Sequence, residues 1–129
     1  MGKKEQQQFL TDNAKKDGVQ VTESGLQYKV LRAADGPKPS DGNAEVEVHY
    51  KGTLIDGTQF DSSYDRGEAT TFFLNQVVPG WTEGIQLMSE GSQFVFYIPP
   101  ELGYGERGYP GVIPPHATLI FEVELLKIW

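Results

Sequence analysis

The chain has 129 residues, no cysteine and a net charge of −7. That length suits one domain, and 38% apolar with 12% aromatic residues can fill a core without staples. Disulfides, thiolate metal sites and a cysteine nucleophile are excluded, and the acidic balance argues against a nucleic-acid partner.

Met1-Gly2-Lys3-Lys4 is followed by no apolar run of the kind a secretory leader needs. No stretch of about twenty apolar residues appears, so no membrane span is read. A cysteine-free chain fits a reducing compartment and a periplasmic or cell-surface one equally, so localisation stays open. Residues 3–16 are good helix formers closed by Gly18. Only Phe9, Leu10 and Ala14 are apolar there, too few to bury a face. Residues 1–18 are therefore expected to be a solvated helical segment, the end of a longer stalk, with a polar tail as the alternative.

Residues 19–129 form the domain proper. Leu26, Tyr28 and Val30 fall on one face of a strand. Asp35 to Gly42 is a loop by composition. Val46, Val48 and Tyr50 point one way on the clearest strand, and Glu45, Glu47, His49 and Lys51 the other. Asp56-Gly57 is a hairpin-type dipeptide before Phe60 and Asp61. Ser62 to Gly67 reads as loop or bulged strand. Thr70 to Leu74 is a strand with Phe72 and Leu74 on one side and Phe73 on the other.

In Val77 to Met88 helical spacing replaces strand spacing. Val78, Trp81, Ile85 and Met88 share one helical face, Pro79 suits the first turn, and Gly91 is a plausible stop. A helix this short needs a sheet to pack on. After it, Phe94, Phe96 and Ile98 alternate with Val95 and Tyr97. Pro99 to Pro115 is a long Gly/Pro-rich loop, and Leu119, Phe121, Val123 and Leu125 alternate with their neighbours. The expected fold is α+β: a curved antiparallel sheet of five to six strands wrapped around one short helix, preceded by an N-terminal helix.

Gly103 to Gly108 matches G-x-G-x-x-G literally. Prolines on both sides forbid the helix that a dinucleotide site requires. Two histidines and no cysteine make a zinc site poor, and no metal or cofactor is expected. His49 reads as a surface residue and His116 as a turn or strand-entry residue. Ser62-Ser63 reads as a turn rather than a nucleophile site.

What stands out is aromatic. Tyr50, Phe60, Phe72, Trp81, Tyr104, Tyr109 and Phe121 come from different elements, mostly on inward faces. Periodicity alone favours a plain hydrophobic core. Three features favour a pocket: tyrosine hydroxyls need partners when buried, Asp61 directly follows an inward Phe, and the 99–115 loop is long for a compact domain.

V-H-Y-K-G-T-L-I-D-G-T-Q-F-D-S-S at 48–63, V-V-P-G-W-T-E-G at 77–84 and Y-G-E-R-G-Y-P-G-V-I-P-P-H-A-T-L-I-F-E-V-E-L-L at 104–126 resemble the FK506-binding proteins. These are peptidyl-prolyl cis-trans isomerases. The resemblance covers about residues 20 to 129. The P-G-W form and the preceding N-A-K-K-D-G-V resemble the bacterial macrophage-infectivity-potentiator branch, in which a long helix leads to an N-terminal dimerisation module. By itself the present chain is then expected to be a monomer.

The resemblance implies a substrate- and inhibitor-binding pocket of Tyr50, Phe60, Asp61, Arg66, Phe72, Val77, Val78, Trp81, Tyr104, Tyr109, Val112, Ile113 and Phe121. Asp61, Tyr104, Trp81, Phe121 and Tyr50 would carry catalysis, with Trp81 as pocket floor and Asp61 and Tyr104 as polar contacts to carbonyls. Proline-containing peptides, unfolded proteins, FK506 and rapamycin are the implied partners. Tyr109 stands where many members have His, and Phe73 rivals Phe72 for its aromatic role. The competing readings are a proline-segment binding module or chaperone with little turnover and, more weakly, a sugar- or oligonucleotide-binding β-domain.

Overall fold

The computed structural model describes residues 2–129. Helix α1 spans Lys3–Asn13. Strands β1 (Gln20–Val21), β2 (Gln27–Arg32), β3 (Glu45–Thr53) and β4 (Gln59–Ser62) follow, then a single turn α2 (Ser63–Arg66). Strand β5 (Thr70–Phe73), helix α3 (Pro79–Ile85), β6 (Gln93–Ile98) and β7 (Leu119–Ile128) complete the chain. All pairings are antiparallel, in the order β1-β2-β6-β7-β3-β4, with β5 also on β3. The α+β fold class is as expected. The sheet has seven strands because β1 and β4, of two and four residues, are too short to register as periodic patterns.

Alternation decides the core. On β7, Leu119, Phe121, Val123 and Leu125 are buried; on β3, Val46, Val48 and Tyr50 are. Helix α3 crosses this concave face, with Pro79 at its first position, and buries Trp81 and Ile85. Small residues set the approach: a Cβ on Gly84 would meet Phe96 Cε1 at 2.6 Å, and one on Gly80 would meet Ile98 Cγ2 at 2.7 Å. The helix ends at Ile85 rather than near Gly91. The chain then runs on in turns, and the Ser92 hydroxyl ties the last of them, donating to Ser89 O at 2.6 Å and accepting from Ser89 N at 3.1 Å.

Three expectations are corrected. Val30 is 44% exposed because the register slips between Val30 and Arg32 at the end of β2. Ser62 to Gly67 is a helical turn: the Ser62 side chain accepts from Asp65 N, and Gly67 closes it at φ 70°. Helix α1 is not solvated all round. Its Gln6 and Asn13 are buried, and amides rather than apolar groups dock it. Asn13 Nδ2 donates to Gln27 Oε1 at 2.8 Å, and Gln27 Nε2 donates to Leu10 O at 2.9 Å. Phe9 adds a ring contact to Tyr97 at 6.3 Å.

One feature of the sheet positions the site. The free side of β3 is shared: Lys51–Thr53 pair with β4, and Glu45–Val48 pair with β5. Tyr50 lies in the gap, where α2 sits. Its backbone N–H, without a strand partner on that side, donates to Ser63 Oγ at 2.7 Å. Buried main-chain donors need such a partner, which explains a fully buried serine.

Candidate functional site

Where β3, α3 and β7 converge, four rings form a cup. Around the Trp81 indole stand Tyr50 at 5.1 Å and 84°, Phe72 at 5.4 Å and 90°, and Phe121 at 5.2 Å and 82°. Edge-to-face contacts of this kind suit the aromatic quadrupole and hold each ring in one orientation. Phe60 stands edge-on to Phe121 at 5.4 Å. The cup is the base of an open cavity of about 600 Å³. Trp81 is only 4% exposed, yet it lines that cavity. Its Nε1–H has no partner among the described residues, so an unused donor sits at the floor.

The structure brings Tyr50, Phe60, Asp61, Phe72, Val77, Val78, Trp81, Tyr104, Tyr109, Val112, Ile113 and Phe121 together on the cavity wall. Phe72 lines it, whereas Phe73 faces away and is 43% exposed. Arg66 does not line it. It stands behind Asp61 instead: Nη1 donates to Asp61 Oδ1 at 2.5 Å and Nη2 to the Tyr50 hydroxyl at 2.9 Å. The Tyr50 hydroxyl in turn donates to Asp61 Oδ2 at 2.6 Å. Burial pushes the Asp61 carboxyl up, but the hydrogen bonds from Tyr50 and Arg66 and the Arg66 charge outweigh it and hold the group below the ordinary value. Burial and the neighbouring carboxylate push the Tyr50 phenol up, and burial does the same to Tyr104. The rim therefore presents an ionised acceptor and a protonated donor.

The loop supplies the opposite wall. Tyr109 and Ile113 exchange two backbone hydrogen bonds of 2.8 Å around a turn with Gly111 at φ 79°. Tyr104 packs edge-on against Tyr109 at 5.8 Å. Gly108, at φ 66°, lets the loop fold on itself, since a Cβ there would meet Ile113 O at 2.3 Å. The G-x-G-x-x-G glycines thus serve loop geometry.

Gln76 and Gly103 line the cavity and were not expected to; neither follows from alternation, because Gln76 ends one 3-10 turn and Gly103 caps another. His49 is half-buried rather than a free surface residue. Its Nδ1 lies 2.8 Å from Ser63 Oγ and its ring stacks on Tyr64 at 4.7 Å.

Residues 36–126 match the family of FKBP-type peptidyl-prolyl cis-trans isomerases, and residues 2–30 match the domain amino-terminal to such isomerases. The chain belongs to the FKBP-type peptidyl-prolyl cis-trans isomerase family. It is 58% identical to the FKBP-type isomerase FkpA of Aeromonas hydrophila, covering 97% of this chain and 46% of that one. It is 51% identical to the isomerase Mip of Coxiella burnetii, over 93% of this chain and 52% of the relative. The crystal structure of FkpA from Escherichia coli superposes with a TM-score of 0.92 at 46% identity, covering 97% of this chain and 58% of that one. An isomerase structure from Pseudomonas syringae gives a TM-score of 0.91 at 36% identity, covering 97% and 91%. The chain spans about half the length of the curated relatives it matches.

Proposed function

We propose that this FKBP domain is a peptidyl-prolyl cis-trans isomerase acting on proline-containing peptides and unfolded proteins, and that FK506 and rapamycin compete for the same cavity. The observation that carries the proposal is the cup: an indole floor walled by three edge-on rings, open to solvent, with the Asp61 carboxylate and Tyr104 hydroxyl at the rim and the Trp81 Nε1–H at the floor.

Rotation about X–Pro meets a barrier of roughly 18–20 kcal/mol because the planar amide is resonance-stabilised. Uncatalysed exchange takes roughly tens to hundreds of seconds. In the twisted state that resonance is lost, and the carbonyl oxygen carries less negative charge. A proline ring seated on Trp81 takes its amide out of water. Desolvation costs the polar planar form more than the twisted one, so the cup favours the transition state differentially. Asp61 accepts from donors of the chain flanking the bond, while the Tyr104 hydroxyl and Trp81 Nε1–H donate to its carbonyls. No proton is transferred and no bond to the protein forms. Val112 and Ile113 at the rim meet the residue before proline and favour an apolar one.

A protease-coupled assay with a short X-Pro peptide tests the proposal. Accelerated cis-to-trans conversion, suppressed by FK506 titration, is expected. Peptide binding with no acceleration would establish a binding module instead.

We infer also that α1 is the end of a stalk joining this domain to a dimerisation module in a longer chain. Its match to the domain preceding such isomerases supports this. Sedimentation of the present chain as a monomer and of a longer one as a dimer is the expected outcome.

A further inference from the structure

We propose that a second groove, beside the cup, binds a cationic side chain of the same substrate polypeptide, a few residues from its proline. The proposal rests on the isomerase reading and adds a recognition element to it. The groove lies between the outer face of α3, the 3-10 turn at Leu74–Gln76 before it, and Leu102. It adjoins the cup, since Val77 lines both. A polypeptide leaving the cup over Val77 therefore runs into it. An extended chain advances about 3.3 Å per residue, so side chains two to four positions from proline are the ones in reach.

The chemistry of the lining selects the side chain. Val77, Pro79 and Leu102 offer an apolar bed for an aliphatic stem. Each polar group beside them spends a donor within the protein, and the two side-chain amides keep a second one. Thr82 Oγ1 donates to Leu74 O at 2.5 Å, Gln86 Nε2 to Thr82 O at 2.8 Å, and Asn75 Nδ2 to Asn43 Oδ1 at 3.2 Å. Glu83, half-buried in the same lining, accepts from Ser24 Oγ through Oε1. The one charged group in the lining is the Glu83 carboxylate, whose second oxygen has no hydrogen bond to the described residues. An apolar bed ending in one negative charge suits lysine or arginine, whose stems bury while the charged head stays at the edge. It repels an acidic residue at the same place.

The test uses X-Pro peptides carrying Lys, norleucine or Glu at positions two to four from proline, on either side. Norleucine keeps the stem and removes the charge. For wild type, a KM about two- to fivefold lower for the best Lys peptide than for its norleucine counterpart is expected, the worth of a half-exposed ion pair. The preference should shrink in high salt. Glu83→Gln should abolish it while the norleucine peptide is turned over as before. Ser24→Ala separates recognition from structure. It breaks the same Ser24–Glu83 hydrogen bond but keeps the charge, so the Lys preference should persist. Equal KM for Lys and norleucine peptides that are both turned over would overturn the groove and leave the isomerase reading intact. Loss of the preference in Ser24→Ala to the same extent as in Glu83→Gln would reduce Glu83 to a structural tie. Absence of turnover for every peptide would overturn the isomerase reading, and this proposal with it.

Discussion

The Tyr50 hydroxyl donates to Asp61 Oδ2 at 2.6 Å across the gap where the free side of β3 passes from β4 to β5. One tyrosine thus does two things: its ring walls the cup and its hydroxyl aims the rim carboxylate. Tyr50→Phe keeps the ring and removes the aim. Stability should fall by about 1 kcal/mol, the net worth of one hydrogen bond, read from the urea midpoint. Turnover should fall several-fold with the cavity intact. Asp61→Asn should cost more, about tenfold in kcat/KM, because a charge-assisted contact is lost. Full activity in both variants would remove Asp61 from the proposed mechanism.

The acid and alkaline limbs of the pH profile have opposite causes. Burial raises the Asp61 carboxyl, but its partners Tyr50 and Arg66 bring it below 3.8 in the folded state. A depressed folded pKa gives stability that is present above the unfolded value and is lost as pH falls through the folded one. Burial and Asp61 raise the Tyr50 phenol above 10.0. That contribution is complete below the unfolded value and is lost as pH rises through the folded one. Isomerase activity should therefore be flat between roughly pH 5 and 9. Peptide kinetics across that range would expose any neutral-pH limb, and such a limb would bring in a proton-transfer group that the proposed mechanism lacks.

Gly52 is where β3 leaves room for the rings. A Cβ there would meet Phe60 Cζ at 2.7 Å and Phe121 Cε1 at 2.8 Å. Gly52→Ala should destabilise by about 1–3 kcal/mol through overpacking and lower turnover by displacing both rings. Gly42→Ala is the control. Its Cβ would find ordinary contacts at 3.6 Å, so the thermal midpoint should barely move.

Gln6 Oε1 accepts from Thr118 N at 2.9 Å, and Thr118 is the last residue before β7. The Gln6 Nε2 and Thr118 Oγ1 atoms are buried beside this bond without partners among the described residues. Gln6→Ala would leave the Thr118 amide buried and unpaired, at a cost of about 1–3 kcal/mol. Faster hydrogen exchange at Thr118 and a lower urea midpoint are expected. No change in either would mean that α1 merely rests on the sheet.

The core strands were legible because alternation is local. The inward sets Val46-Val48-Tyr50 and Leu119-Phe121-Val123-Leu125 follow from a period of two, and the buried face of α3 from three- and four-residue spacing. Family motifs then named most of the lining from Tyr50 to Phe121, but placed Arg66 in it and missed Gln76 and Gly103. Three things needed the tertiary structure, each for a distance reason. Whether the aromatics were core or cup depended on how far a loop ending at Pro115 stands from Trp81. The role of Ser63 depended on a strand edge that divides between β4 and β5, leaving the Tyr50 amide without a ladder partner. The docking of α1 depended on Gln6 meeting Thr118, 112 residues away in sequence. Polar residues such as Gln6 and Asn13 read as solvent-facing until the amide each one pairs with is located in space.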